Sequence, residues 1–178
     1  MKKTPKNDGF SLVEILFVVV IIGIMAAFGL PAYFSWVPNM RLKADTRELH
    51  TAFMKAKAEA AKRNRTVAVT FDQPVGGTPS AYVVYADLNG DFQLNAGETV
   101  ITNVQQWSDH VSLSAETFTN NGAGDPSMAF RPNTIPEDTA GSPPGCSTPA
   151  PGCTVSLTSS KGRTLSIAVS PAGSVTIN

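Results

Sequence analysis

Histidine and cysteine are scarce in this sequence. Its 178 residues include two of each, His50 and His110, Cys146 and Cys153. No nucleophile, metal-ligand spacing or phosphate-binding loop accompanies either histidine, so the sequence does not favour an enzyme. We interpret both histidines as surface or packing residues. The length of the chain is typical of one folded domain.

An excess of charge of one sign is also missing. Lysine plus arginine number 14, as do aspartate plus glutamate, and the formal net charge is zero. The first nine residues hold three of the lysines and one aspartate, so the remaining chain has 11 basic and 13 acidic side chains, a formal charge of −2. A protein that binds nucleic acid through a global basic field is therefore not predicted.

There is one long hydrophobic run. It extends from Phe10 to Phe34, and Glu14 carries its only ionisable group before Tyr33. The run can span a bilayer, and the lysines before it predict a cytoplasmic N-terminus with the rest exported. A carboxylate in mid-membrane costs about 2.5–3.5 kcal/mol, and no clear A-x-A site follows the run. Neither a plain anchor nor a cleaved secretory signal explains Glu14, so we expect it to have a partner.

The segment KNDGFSLVEILFVVVIIGIMAA resembles the class III signal of type IV pilins and type II secretion pseudopilins. The resemblance implies that a prepilin peptidase cleaves after Gly9 and methylates the new amino terminus at Phe10. Glu14 occupies the family's glutamate position, five residues into the mature helix. A carboxylate buried there can pair with the terminal amine of a neighbouring subunit, and a buried charge is tolerated only when paired.

Glycine and proline interrupt this helix. Pro31 removes an i to i−4 hydrogen bond, and Gly23 weakens the same stretch. Both positions match pilins whose helix partly melts between such residues in the filament, and a static kink is the alternative interpretation. Pro38 marks a bend at which the sequence allows either one long curved helix or two helices.

An amphipathic pattern follows, from residue 40 to about residue 61. Side chains spaced three or four apart predict a helix face that covers a sheet. This stripe consists of Leu42, Thr46, Leu49, Phe53, Ala56 and Ala60. Asp45 and Glu48 come early in the segment and basic residues crowd its end, which indicates complementation of the helix dipole.

The rest of the chain has the pattern of short β-strands. Alternating runs between turn residues predict strands beginning at Thr66, Tyr82, Thr99, Val111, Ser127, Cys153, Thr164 and Ser174, the last three as a β-meander. The predicted fold class is α+β, a long N-terminal hydrophobic and amphipathic α-helix packed on an antiparallel β-sheet or β-sandwich-like head. This order resembles the minor pseudopilins of GspH/FimT type. The predicted parts are a cleaved leader 1–9, a transmembrane and filament-core helix 10–37, its amphipathic continuation 38–65 and a β-rich head 66–178.

Proline and glycine dominate the stretch from Pro132 to Cys153, which predicts a surface loop. It is either a partner contact or a passive connector. Cys146 and Cys153 are predicted to close it with a disulfide. Such a bridge requires an oxidising compartment and stabilises the fold by about 2–3 kcal/mol.

Residues 87–98 suggest calcium, the one cofactor that the sequence indicates. Oxygen-bearing side chains occupy positions 1, 3, 5, 7, 9 and 12 of a calcium loop. They are Asp87, Asn89, Asp91, Gln93, Asn95 and Glu98. The sixth position, where an EF-hand has glycine, is Phe92. The alternative is a type I′ hairpin turn at Asn89 and Gly90, followed by a second turn, without metal.

A turn near the C-terminus contains Lys161 and Arg163. FimT-like proteins that take up DNA carry a Gly-Arg-x-Arg pattern in such a turn, so the resemblance implies a possible contact with phosphate. Gly162 and Arg163 match that pattern, and Leu165 stands where the second arginine would be.

These patterns together predict a minor pilin or pseudopilin that joins a type IV pilus or a type II secretion pseudopilus through its N-terminal helix, in initiation, priming or at the tip. The alternatives are a major filament subunit and a DNA-uptake receptor. The implied partners are other pilins of the same filament, the prepilin peptidase, the inner-membrane assembly platform and, before assembly, the lipid bilayer. The implied location is the bacterial inner membrane with the head in the periplasm, then the filament or cell surface.

Overall fold

A computed structural model describes residues 10–72, 82–137 and 153–178. The chain divides into two compact units, one up to Val37 and one from Pro38 to Asn178. A single helix, α1, spans Leu12–Arg63, so helical structure continues through both Pro31 and Pro38. Of the two arrangements that the sequence allowed at Pro38, the structure has one helix.

Within the described residues, ten strands follow the helix. They are β1 Val67–Phe71, β2 Tyr82–Ala86, β3 Thr99–Gln105, β4 Val111–Glu116, β5 Thr119–Asn120, β6 Pro126–Phe130, β7 Pro136–Glu137, β8 Cys153–Ser159, β9 Thr164–Val169 and β10 Val175–Ile177. The eight predicted strands are confirmed. Strands β5 and β7 were not predicted, because they have two residues each and show no alternation. Because β7 lies within the predicted loop after Pro132, the first part of that loop is not irregular.

The strands form two antiparallel sheets. The first has the order β3-β2-β1-β6-β5, with β7 also paired to β6, and the second has the order β10-β9-β8-β4. In the first sheet Val69 pairs with both Val84 and Met128, and in the second Val155 pairs with Ile167. The α+β class with a long helix on antiparallel sheets is confirmed.

One core joins the helix to both sheets. All six residues of the predicted stripe on α1 are buried, which confirms the amphipathic pattern. The stripe packs against inward side chains of β1, β2 and β6 from the first sheet and of β8 and β9 from the second. Phe53 lies at its centre, with ring centroids 6.3–6.4 Å from those of Phe71, Phe118 and Phe130. These rings remove a large apolar area from water and hold helix and sheets together.

Asp45 is a buried acid on the sheet-facing side of α1. Its carboxylate accepts hydrogen bonds from the backbone N–H of Ser108, at 2.8 Å, and from the Ser108 hydroxyl, at 2.7 Å. The two bonds satisfy the carboxylate and fix the connection between β3 and β4 to the helix.

The sequence-based interpretation that Asp45 and Glu48 complement the helix dipole is wrong, because α1 begins at Leu12 and both residues lie in its interior.

Gly173, in the turn between β9 and β10, lies close to both the turn before β7 and the helix. Its φ is +80°, and a Cβ placed there would lie 2.5 Å from the carbonyl oxygen of Thr134. Its own carbonyl accepts a 2.9 Å hydrogen bond from Lys57 Nζ on α1. The backbone can make this approach only because the residue lacks a side chain.

A glycine-to-alanine pair tests this junction. Gly162 has the same φ of +80° but nothing within 4 Å of the Cβ position. We expect Gly162→Ala to lower the free energy of unfolding by about 1–2 kcal/mol, the cost of a left-handed alanine. Gly173→Ala adds a backbone clash and should cost clearly more, about 3 kcal/mol. Circular dichroism melting of the full chain in detergent measures both, and equal losses would contradict the close approach.

Candidate functional site

The first turn of α1 carries the predicted assembly residues. The Ser11 carbonyl accepts hydrogen bonds from the backbone N–H groups of Glu14, at 3.0 Å, and Ile15, at 3.2 Å. Glu14 therefore lies in the N-terminal turn, where the helix dipole favours a negative charge. Phe10 precedes the helix and its side chain is 80% exposed. Gly9, the predicted cleavage position, lies outside the described residues.

The apolar side chains of this segment have no cover among the described residues. Large hydrophobic residues from Phe10 to Trp36 are exposed, and no atom of the described ranges lies within 4 Å of the Cβ position of Gly23. An 18-residue window in α1 has a mean hydropathy of 2.7, so by length and composition this helix can cross a membrane. Such a surface needs lipid or other apolar helices around it. The predicted melting between Gly23 and Pro31 stays a prediction.

Loop 87–98 joins β2 to β3, and its acids bind backbone N–H groups of the loop itself. Asp87 is buried and accepts hydrogen bonds from the N–H groups of Gly90, at 2.7 Å, and Phe92, at 3.2 Å. Glu98 accepts from the N–H groups of Leu88 and Asn95, at 2.9 Å each. These bonds occupy carboxylate oxygens at both ends of the loop and fix its course.

Asp91 and its neighbours close the middle of the loop. The Asp91 carboxylate accepts hydrogen bonds from the Gln93 N–H at 2.8 Å and from Asn95 Nδ2 at 2.6 Å. Asn89 donates to the same carboxylate through Nδ2, at 2.8 Å. Five of the six predicted calcium residues are thus linked by hydrogen bonds among themselves, whereas Asp87 binds the N–H groups of Gly90 and Phe92.

Phe92 takes the conformation that glycine has at the sixth position of a calcium loop. Its φ is +59°, which costs a side-chain-bearing residue about 1–2 kcal/mol. The ring is buried in a second, smaller core on the other face of the first sheet, with Val83, Tyr85 and Ala129. Burial of the ring offsets the backbone strain. The phenylalanine therefore does not prevent this backbone geometry.

The proposed type I′ hairpin turn at Asn89 and Gly90 is wrong. That turn needs a positive φ at both residues, and here only Gly90, at +78°, has one. Strands β2 and β3 pair across a 12-residue loop instead. Among the residues that the structure describes, no three His, Cys, Asp or Glu side chains converge to hold a metal ion. Calcium binding therefore stays a prediction.

A buried polar cluster anchors this loop to the sheet. Thr70 Oγ1 lies 3.0 Å from the Tyr85 hydroxyl and donates to the Phe92 carbonyl at 3.1 Å. Asn121 Nδ2 donates to the same carbonyl at 2.8 Å. Burial, more than any neighbouring charge, raises the pKa of Tyr85 far above its usual range. The sequence analysis missed this anchor, although a lone phenylalanine in a polar loop could have indicated it.

The predicted DNA-contact turn lies between β8 and β9. The Gly162 N–H donates to the Ser159 carbonyl, and the Ser159 N–H to the Arg163 carbonyl, at 2.8 Å each. Lys161 and Arg163 are exposed. Leu165 packs against the main core, so its position is not available to a cation at this surface. The DNA contact stays a prediction.

The predicted disulfide falls at the edge of the described residues. Cys153 is buried at the start of β8 and is not a free thiol. Cys146 lies outside the described residues, so the pairing of the two stays a prediction.

His50 is placed as expected of a packing residue, with Nε2 3.3 Å from the Val175 carbonyl oxygen.

Comparison with known proteins identifies the family. The model of the family described as Type II transport protein GspH matches residues 45–173. This chain belongs to the GspH family. The model of the prokaryotic N-terminal methylation motif matches residues 4–30, which adds a class III signal to this GspH-family chain. No curated protein matches it.

A solved structure shares the fold of this GspH-family protein. The crystal structure of the type IV minor pilin FimU from Pseudomonas aeruginosa superposes with a TM-score of 0.50 at 12% identity, covering 80% of this chain and 92% of that one. The family and the fold are those of structural, pilin-like proteins. The predicted resemblance to a minor pseudopilin is confirmed.

Calcium binding can be tested on the melting temperature. If loop 87–98 binds calcium, millimolar Ca²⁺ should raise the melting temperature of the full chain in detergent by several degrees, because a ligand that binds only the folded state stabilises it. Asp87→Ala combined with Asp91→Ala should abolish this shift, whatever it does to the melting temperature without calcium. Glu116→Ala, an exposed acid outside the loop, should keep the shift. An unchanged curve for the unmodified chain would reject calcium.

Proposed function

We propose that this protein is a minor subunit of a type IV pilus or a type II secretion pseudopilus, assembled through its N-terminal helix. One observation carries the proposal: the stretch from Phe10 to Trp36, whose apolar side chains are uncovered, contains a single acid, Glu14, in the first turn of α1. A membrane anchor gains nothing from that carboxylate. A bundle of identical or related helices can use it as one half of an ion pair.

The N-terminal amine supplies the other half. A prepilin peptidase cuts before Phe10 and methylates the new amino terminus, which stays a cation. The helix then stays in the inner membrane until the assembly platform transfers it into the filament. There the Glu14 carboxylate of one subunit pairs with the terminal amine of its neighbour. Because the surroundings are apolar, loss of one partner leaves a buried unpaired charge, at a cost of about 3–5 kcal/mol.

The second unit forms the head, outside the membrane. In the periplasm an oxidising environment would support the predicted disulfide at Cys153. Membership in the GspH family and the fold shared with a minor pilin favour a minor subunit that acts in initiation, priming or at the tip. A major subunit is the alternative, and copy number in sheared filaments separates the two.

Processing can be read from the mature N-terminus. We expect intact mass and N-terminal sequencing of the membrane-extracted protein to show methylated Phe10 when the prepilin peptidase is present. Without the peptidase, the chain should keep residues 1–9. An uncut chain in the presence of the peptidase, or a cut elsewhere, would contradict the pilin pathway and leave an ordinary anchored or secreted β-domain.

Glu14→Gln tests assembly separately from processing. The substitution keeps the shape of the side chain but removes the charge, so cleavage before Phe10 should continue while the amount of protein in sheared filaments falls at least about tenfold. Glu116→Gln, which removes an exposed acid from the head, serves as the matched control and should assemble normally. Normal incorporation of the Glu14→Gln protein would show that the carboxylate has no partner in the filament.

A further inference from the structure

A groove lies between the outer side of α1 and strand β3, the edge of the first sheet. Its volume is about 280 Å³, and it lies wholly within the second unit. The lining residues are Glu48, Thr51, Ala52, Lys55, Tyr82 and Thr102. Tyr82 forms the floor, because it projects from β2 beneath the helix and belongs to the main core. The groove is too small for a protein segment but large enough for one long side chain.

The hydroxyl of Tyr82 is buried and unpaired. The residue is 2% exposed, and within the described ranges its oxygen has no hydrogen-bond partner. A buried polar group without a partner is costly and uncommon in folded proteins. Burial first, and then the charges of Glu48 and Asp45, raise the pKa of Tyr82 far above its usual range. The hydroxyl therefore stays protonated, with oxygen lone pairs free to accept a hydrogen bond.

The charges around the groove favour a cation at the end near Glu48. Glu48 is exposed, and no lysine, arginine or histidine of the described residues pairs with it. Lys55 is the groove's own cation, and its ammonium donates to the Ile101 carbonyl at 2.9 Å and to Thr102 Oγ1 at 3.2 Å. Seven helical positions separate Glu48 from Lys55, about 10 Å along the axis. A cation that touches Glu48 is therefore attracted more strongly than Lys55 repels it.

We propose that this groove binds a lysine or arginine side chain of a neighbouring filament subunit, which donates hydrogen bonds to Glu48 and to the hydroxyl of Tyr82. The inference rests on the proposed filament function. An apolar side chain would leave the hydroxyl unpaired, and an acidic one would be repelled by Glu48. Addition of a partner strand along β3 is disfavoured, because that edge has register irregularities against β2 and Lys55 already occupies the Ile101 carbonyl.

Two substitutions in the full chain test the groove, each with a matched control. Tyr82→Phe removes only the unpaired hydroxyl, whereas Tyr85→Phe removes a hydroxyl bonded to Thr70 on the other face of the sheet. Glu48→Gln removes the groove's carboxylate, and Glu116→Gln removes an exposed one elsewhere. The melting temperature in detergent, the mature N-terminus and the amount of protein in sheared filaments are measured for every variant.

If the proposal holds, Tyr82→Phe leaves the melting temperature unchanged or higher, because no bond within the chain is lost, while Tyr85→Phe lowers it. Tyr82→Phe and Glu48→Gln should then reduce incorporation into filaments by about tenfold, the effect of losing a hydrogen bond to a charged group, with processing unchanged. Glu48→Asp, which keeps the charge, should retain more incorporation than Glu48→Gln.

Three results would overturn the proposal. A lower melting temperature for Tyr82→Phe would show that the hydroxyl already has a partner within the chain. Normal incorporation of both Tyr82→Phe and Glu48→Gln, together with loss of incorporation for Glu14→Gln, would remove the groove's role and leave the filament function standing. Absence of the unmodified protein from filaments would remove both.

Discussion

Burial of one stripe of α1 by two sheets is the constraint on which the head depends. The sheets share no strand and are joined by the apolar side chains that both present to the helix, with Phe53 at the centre of three other rings. Two polar contacts then fix the position of the helix relative to the sheets. Asp45 accepts a hydrogen bond from Ser108, and Lys57 donates one to the Gly173 carbonyl. Because the packing is apolar and non-directional, these few directional bonds determine which of the similar packings is adopted.

The helix α1 has two different surroundings along its length. Up to Val37 its large side chains are exposed and suit lipid or neighbouring helices. From Leu42 onward one face of the helix is buried against the sheets of the head. This division explains how a GspH-family chain can carry an isolated acid in an apolar run. Glu14 lies in the first unit and takes no part in the core of the second, so the proposed pairing between subunits would use a residue that this core does not need. The opposite face of this part of α1 stays exposed to solvent, and the groove at Tyr82 lies beside it.

The sequence predicted the features that depend on short-range periodicity. The stripe from Leu42 to Ala60 follows the helical repeat, and the main strands follow alternation between turn residues, so both could be found without the fold. The sequence did not predict the hydrogen bonds from Ser108 to the Asp45 carboxylate, because the two residues are 63 positions apart and neither belongs to a motif that indicates the other. From the sequence alone Phe92 conflicts with a calcium loop, because the second core, which offsets its backbone strain, is formed only in the fold. The predicted pairing of Glu14 rests on the low polarity of a membrane rather than on any contact among the described residues.

The order of the strands along the chain has a consequence for biosynthesis. The helical stripe is synthesised before β8, β9 and β10, which supply one of its two covering sheets. The head therefore cannot close around the helix until β9 has been made, and contacts between such distant segments slow folding. In that interval Leu49 and Phe53 lack part of the apolar cover that they have in the folded head. A nonsense mutation before β8 would leave the stripe permanently without its second sheet, and chaperones and proteases act on exposed apolar surface of that kind.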